Sequence, residues 1–244
     1  MGSEANPMQS PVDLSFILPM YNEEESVEAA LGRVSKCLQE RCREYEIIVI
    51  DDCSRDRTGE VAKACASKDP KIRVLTNERN LNYGLSLRRG IAEAKFEWLV
   101  HNGADLPLAP EDMGPFFDAM DDADVIVACR QNREAHSNWR KVTSRVNRAL
   151  LGLLFAPRSS DLNFTQFYRR SVATHFQLVS DSPVAVTPEL ILRSEKTGYR
   201  VIEIEIPFQR REVGKAHFGK PKDILWTLRD LARLRFVTWF RGWG

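Results

Sequence analysis

No stretch of this 244-residue chain reaches the roughly 18 apolar residues that span a bilayer. A secretory signal is missing too, because Met1 to Pro11 is polar and has no apolar core. Gly2 follows Met1, but Asn6 stands where a myristoylation signal needs Ser or Thr. Cysteine is sparse: Cys37, Cys42, Cys53, Cys65 and Cys129 are odd in number and never spaced C-x-x-C. That pattern argues against a disulfide framework or a zinc site and for a reducing compartment. The expected location is therefore cytoplasmic, with room for peripheral attachment to the cytoplasmic face of a membrane. Charge of one sign is lacking as well. The 35 Lys and Arg nearly balance 34 Asp and Glu, so the chain as a whole has no field that would draw nucleic acid. There is no internal repeat, low-complexity segment or linker, and the four histidines share no metal-ligand spacing.

What remains is an ordinary globular composition, 43% hydrophobic and 28% charged, on a length that suits one large α/β domain or one domain with an appendage. Leu14 to Leu18 is a short apolar run ended by Pro19, which reads as a buried strand. Asn22 to Ser26 opens a helix with three glutamates where the helix dipole favours them. Ile47 to Ile50 is a second strand, closed by Asp51-Asp52; Thr58 to Ser67 is helical, and Ile72 to Leu75 is a third strand. Leu85 to Ala94 is a helix, and Trp98 begins a fourth strand. Strands alternating with helices at this spacing predict a mainly parallel sheet, which binds ligands at the carboxyl ends of its strands. Tyr21, Asp51, Asp52 and Asp105 fall there.

The second half differs in texture. Asp124 to Cys129 is a strand, Asn138 to Phe155 a long basic amphipathic helix, and Val201 to Phe208 a strand exposed on one side. A basic loop from Gln209 leads to a last helix running to about Trp239. That helix places Ile224, Leu228 and Leu231 on one face and Lys222, Arg229 and Arg233 opposite. Trp226, Phe236, Trp239, Phe240 and Trp243 add aromatics suited to a membrane interface.

Four blocks carry a resemblance: Leu18-Pro19-Met20-Tyr21-Asn22-Glu23-Glu24, Val49 to Thr58 around Asp51-Asp52, Asn77 to Gly84, and Ala104-Asp105-Leu106 ahead of Pro110-Glu111-Asp112. In order and spacing they resemble family 2 glycosyltransferases over about residues 14 to 115, with weaker agreement to about 235. The resemblance implies a GT-A α/β fold. A leader (1–12) precedes a catalytic domain (13–220), with a donor half to about 115 and an acceptor half beyond; an amphipathic helix (221–244) follows. It also implies a donor site for a UDP- or GDP-sugar at Pro19, Tyr21, Asn22, Glu23, Asp51, Asp52, Asn80, Gly84 and Ala104. Asp51 would meet the base, Asp52 would lie near the ribose or metal, and Asp105 would hold Mg²⁺ or Mn²⁺ against the diphosphate.

The subgroup that fits best is the dolichol-phosphate or polyprenyl-phosphate sugar synthases, supported by Val127 to Arg130, Ser144-Arg145 with Asn147, Phe167 to Arg170, and Arg211 to Gly214. Arg130, Arg140, Ser144, Arg211 and Glu189 are the residues expected around an anionic acceptor, with Asp105, Arg130 and Arg211 expected to act in catalysis. Glu189 stands where hydroxyl-directed relatives carry the Glu of a Glu-Asp pair, but Leu190 follows it. A hydroxyl nucleophile needs a base, whereas a phosphate is already anionic, so the missing Asp favours a lipid phosphate acceptor and inversion at the anomeric carbon. The chain departs from the pattern at Gly103, in place of the first metal carboxylate, at Ala216-His217, at Phe164 and at Gln166. Two rival readings stay open: a family 2 transferase acting on a sugar hydroxyl with some other base, such as Glu189, and a nucleotide-sugar-binding protein without catalysis. Neither excludes an integral membrane partner or a homo-oligomer.

Overall fold

The computed structural model describes residues 12–131, 138–206 and 221–244. Seven strands form one sheet in the order β3-β2-β1-β4-β6-β5-β7. They are β1 (Val12–Met20), β2 (Cys42–Asp51), β3 (Ile72–Thr76), β4 (Trp98–His101), β5 (Val125–Arg130), β6 (Gln166–Arg169) and β7 (Val201–Ile206). The pairs β1–β2, β2–β3, β1–β4 and β5–β7 are parallel. The sequence predicts this mainly parallel arrangement but not β6. Its four residues enter antiparallel between β4 and β5. Because β6 is antiparallel to both neighbours, β5 and β7 run the same way as β1 to β4. The carboxyl ends of six strands thus share one edge.

Eight α-helices are described: α1 (Val27–Arg41), α2 (Thr58–Lys68), α3 (Asn82–Glu93), α4 (Gly114–Asp118), α5 (Asn138–Phe155), α6 (Arg170–Ala173), α7 (Val186–Lys196) and α8 (Pro221–Arg241). The central strands are apolar on both faces, so alternate residues feed two cores. Leu14, Phe16 and Leu18 of β1 with Ile47 and Val49 of β2 pack against Val27, Leu31, Val34 and Leu38 of α1. Ile17, Ile48, Ile50 and Leu99 belong to the opposite core, with Leu87 and Ile91 of α3, Leu151 and Phe155 of α5, Leu190 of α7, and Leu231 and Leu234 of α8. A sheet covered on both faces leaves its carboxyl edge as the natural place for a ligand.

The last helix divides its apolar face between core and surface. Leu231 packs inward, but Ile224 and Leu228 are exposed, and the buried stripe is Thr227, Asp230, Leu231, Leu234 and Thr238. Among the described residues every large exposed hydrophobic lies on α5 or α8: Val146, Leu153, Ile224, Leu225, Leu228, Phe236, Trp239 and Phe240. No described helix is long and apolar enough to cross a membrane.

Candidate active site

The first two sequence blocks are laced together at the carboxyl edge. Asn22, in a left-handed conformation (φ 55°), accepts the Arg55 amide at 2.8 Å and donates its own amide to Ser54 Oγ at 3.1 Å. The Glu23 amide donates to Thr58 Oγ1 (2.7 Å), and Glu24 Oε2 accepts from the Arg57 amide (3.0 Å). Asn is among the residues that tolerate this backbone region, and its short amide can bond locally. The polar run after β1 and the Asp-Arg-Thr run after β2 therefore hold one another, with buried Pro19 opposite Ile50 beneath them and Tyr21 at their start.

Asp51 ends β2, Asp52 follows it, and both are buried. Asp51 Oδ1 accepts the Ser54 amide at 3.0 Å. Asp52 does more. Its carboxylate accepts the backbone amides of Leu81 (2.7 Å) and Asn82 (2.9 Å) and the side-chain amide of Asn77 (2.7 Å). Its carbonyl accepts from Asn80 Nδ2 at 3.3 Å. Asp52 thus builds the loop that enters α3. Asn82 (φ 72°) then accepts the Gly84 amide at 2.8 Å and starts the helix. Gly84 is needed for space: a Cβ there would overlap the carbonyl oxygen of Ser182.

The fourth block rests on a buried polar chain. His101 Nε2 lies 2.7 Å from Gln166 Oε1, and Nδ1 lies 2.8 Å from the Tyr83 hydroxyl. Gln166 Nε2 donates to the Leu162 carbonyl at 3.2 Å, which fixes the amide so that Oε1 faces the imidazole. His101 therefore carries its proton on Nε2 and accepts from Tyr83. Burial pushes its pKa down to about 4, against the opposing pull of Gln166. Burial likewise raises the Tyr83 phenol. Next along, Asn102 accepts from Thr165 Oγ1 (3.2 Å) and donates to the Leu108 carbonyl (2.7 Å), shaping a turn with Leu106 at φ 45°. That turn presents Asp105, with Ala104 buried beside it.

Among the described residues no group of three His, Cys, Asp or Glu could hold an ion unaided. His101 and Asn102 are occupied inward, which leaves Asp105 as the carboxylate of this segment. A single carboxylate suits a cation that completes its shell with water and substrate phosphate oxygens, as Mg²⁺ does. The donor set therefore fits a divalent ion that arrives with a diphosphate.

On the other side of β4, Arg130 ends β5. Its Nε and Nη2 reach Asp161 Oδ2 and Oδ1 at 2.8 and 3.1 Å, and its guanidinium lies 4.5 Å over the Phe164 ring. Phe164 and Gln166, two of the departures from pattern, are thus the neighbours of Arg130 and His101. Arg140 and Ser144 fall on α5, where only the backbone is described; Arg211 and the His217 segment lie outside the described residues. Glu189 is placed in the interior rather than on an open acceptor surface. It accepts the amides of Val179 (3.0 and 3.1 Å) and Ser180 (2.7 Å) and pairs with Arg193 Nε at 2.8 Å. A buried carboxylate needs such partners to repay its desolvation. The sequence marks Gln166 only as a departure from pattern, and nothing in it singles out Asp230 of α8 beside Arg229.

A model of glycosyl transferase family 2 matches residues 15–183. The chain belongs to that family. This family 2 member is 30% identical over 213 residues to an undecaprenyl-phosphate mannosyltransferase of Micrococcus luteus, covering 82% of this chain and 85% of that protein. It is 28% identical over 232 residues to a dolichol-phosphate mannosyltransferase of Pyrococcus furiosus, covering 91% and 63%. It is also 28% identical over 213 residues to an undecaprenyl-phosphate 4-deoxy-4-formamido-L-arabinose transferase of Edwardsiella ictaluri, covering 86% and 64%. The chain thus spans less than two thirds of the latter two relatives. Among solved structures, glucosyl-3-phosphoglycerate synthase of Mycobacterium tuberculosis with Mn²⁺, UDP and phosphoglyceric acid is similar at TM-score 0.64 and 21% identity, covering 96% of this chain and 79% of that one. S. aureus TarS 1–349 with UDP gives 0.62 at 17%, covering 91% and 65%. These likenesses establish the fold as the GT-A type.

Proposed function

We propose that this family 2 glycosyltransferase moves a sugar from a UDP- or GDP-sugar to a polyprenyl or dolichyl phosphate, with inversion at the anomeric carbon. The observation that carries the reading is Glu189. This candidate base of a hydroxyl-directed enzyme is buried and its oxygens are taken up by Val179, Ser180 and Arg193. A lipid phosphate is an anion at neutral pH and needs no base. The relatives named for polyprenyl-phosphate transfer support the same acceptor class.

In this reading the nucleotide lies over the carboxyl ends of β1 and β2, against Tyr21, Asn22, Glu23 and Asp51, with the loop 80–84 held in shape by Asp52. Asp105 would hold a Mg²⁺ or Mn²⁺ ion, whose charge offsets that of the leaving nucleoside diphosphate. A phosphate oxygen of the acceptor forms the new bond to the anomeric carbon as the bond from that carbon to the donor's diphosphate oxygen breaks. The electron pair leaves with the diphosphate, and no proton has to move. Arg130, with Arg140, Ser144 and Arg211, would orient the acceptor phosphate and offset the charge of two anions brought together. Arg130 arrives already fixed by Asp161 and Phe164, so little side-chain entropy remains to be lost.

The acceptor's lipid tail accounts for the outer surface of α8. Leu225, Phe236, Trp239 and Phe240 are 65 to 70% exposed and Leu153 of α5 is 84% exposed. Arg229, Arg233 and Arg241 accompany them on α8. Soluble surfaces rarely gather so much apolar area, and aromatics beside arginines suit the headgroup region of an anionic bilayer. Peripheral seating on the membrane that holds the acceptor is the corresponding placement of the protein.

Parallel assays with polyprenyl phosphate and polyprenyl alcohol test the reading. Transfer to the phosphate alone is expected, and sugar on the alcohol at a comparable rate would refute the base-free mechanism.

A further inference from the structure

Four consecutive backbone N–H groups, Val179 to Ser182, are held by two buried carboxylates. Glu189 of α7 takes the first two. Asp230 of α8, wholly buried, takes the other two: its Oδ2 accepts the amides of Asp181 and Ser182 at 2.8 and 2.7 Å. Its Oδ1 accepts from Arg229 Nη2 at 2.8 Å. A carboxylate on the buried face of a helix costs desolvation that an apolar residue would avoid. Its Oδ2 serves a segment almost fifty residues away in sequence, while Oδ1 is paired with Arg229 on its own helix.

The other side of that segment presses on α3. The Ser182 carbonyl occupies the space a side chain on residue 84 would need. Arg88 of α3 donates to the Ser180 carbonyl at 3.1 Å and to Asp181 Oδ1 at 2.7 Å. The first turn of α3 continues directly into the Leu81 and Asn82 amides held by Asp52. An unbroken run of contacts therefore joins α8, through residues 180–182 and Gly84, to the loop at the end of β2.

We propose that Asp230 is a positioning residue for the nucleotide-sugar site, fixing the 181–182 peptide against Gly84 so that the loop 80–84 keeps its donor-binding shape. This rests on the donor-site reading given above. It also makes the helix whose outer face carries Phe236, Trp239 and Phe240 a structural support of the donor loop, so that displacing α8 loosens donor binding.

Asp230→Ala strands two buried amides, whereas Asp230→Asn keeps one acceptor oxygen for them. Leu234→Ala is the control: Leu234 is wholly buried on the same helix and no hydrogen bond joins its side chain to the 179–182 segment. Calorimetric titration of each full-length variant with UDP and with GDP, in the presence of Mn²⁺, is set beside its thermal midpoint. Asp230→Ala is expected to weaken the nucleotide that binds wild type by about tenfold, Asp230→Asn by less, and Leu234→Ala by under twofold despite a comparable fall in midpoint. Equal weakening by Asp230→Ala and Leu234→Ala would make the effect general destabilisation and overturn the inference. So would unchanged binding in both Asp230 variants. Should Asp230→Ala fail to fold, the Asp230→Asn and Leu234→Ala pair decides alone in the same way. Wild-type protein that binds neither nucleotide overturns the donor reading itself, a result separable from the variants' behaviour.

Discussion

Asp105 holds its carboxylate where a side chain on residue 103 would stand: a Cβ built on Gly103 lies 2.6 Å from Asp105 Oδ1. A first carboxylate at position 103 would therefore share this space with the Asp105 side chain. Restoring it by Gly103→Asp forces Asp105 to move. The variant is expected to transfer sugar at least tenfold more slowly at saturating donor and to need more Mn²⁺ for half-maximal rate. A Mn²⁺ titration of the transfer rate, wild type against variant, checks this.

His101 gives the fold an acid-side weakness. Its folded pKa is lowered to about 4 from an ordinary 6.5. As pH falls, the unfolded chain takes up this proton before the folded one does. The stabilisation is complete above about pH 6.5 and drains away down to about pH 4, by up to about 3 kcal/mol. The thermal midpoint of wild type is expected to fall across that window, and that of His101→Gln to fall less.

Arg130 and Asp161 separate a structural from a functional role. Asp161 is almost fully buried, so Arg130→Met takes a charged partner from a buried carboxylate and is expected to cost about 3 kcal/mol. The double change Arg130→Met with Asp161→Leu is expected to recover most of that stability. Transfer to lipid phosphate is expected to stay at least tenfold down in both. Chemical denaturation alongside the transfer assay reads the two effects separately.

Trp239 and Phe240 are exposed, and changing both to Ser is expected to leave the thermal midpoint within about 2 °C, as surface substitutions usually do. Binding to vesicles containing anionic phospholipid is expected to drop tenfold or more, since each aromatic removed from an apolar environment forgoes about 1.5–3 kcal/mol. Co-sedimentation with vesicles measures it.

Much of the donor half is legible in the sequence because local signals coincide there. Apolar runs such as Leu14–Leu18 and Ile47–Ile50 are too short for helices, and Asp, Asn and Gly mark their ends. β6 is illegible for the opposite reason. Gln166–Arg169 has four residues, and its place between β4 and β5 is set by partners 39 to 71 residues away. On α8 periodicity groups Ile224, Leu228 and Leu231 on one face but does not tell which of them the core takes. The helix buries Thr227, Asp230 and Thr238 alongside Leu231 and Leu234, and leaves Ile224 and Leu228 outside. Asp52 and Glu189 show the same limit at the candidate site. A carboxylate's type can be read from sequence, but whether its oxygens face a ligand or a backbone amide depends on loops that close from elsewhere in the chain.

The most direct test of the central claim is transfer of radiolabelled sugar from a panel of UDP- and GDP-sugars to polyprenyl phosphate, with and without Mn²⁺, followed by assignment of the product's anomeric configuration. Cation-dependent lipid product from one donor, with the configuration inverted, is the expected result. A retained configuration, or no lipid product from any donor while folded protein binds the nucleotide, would contradict it.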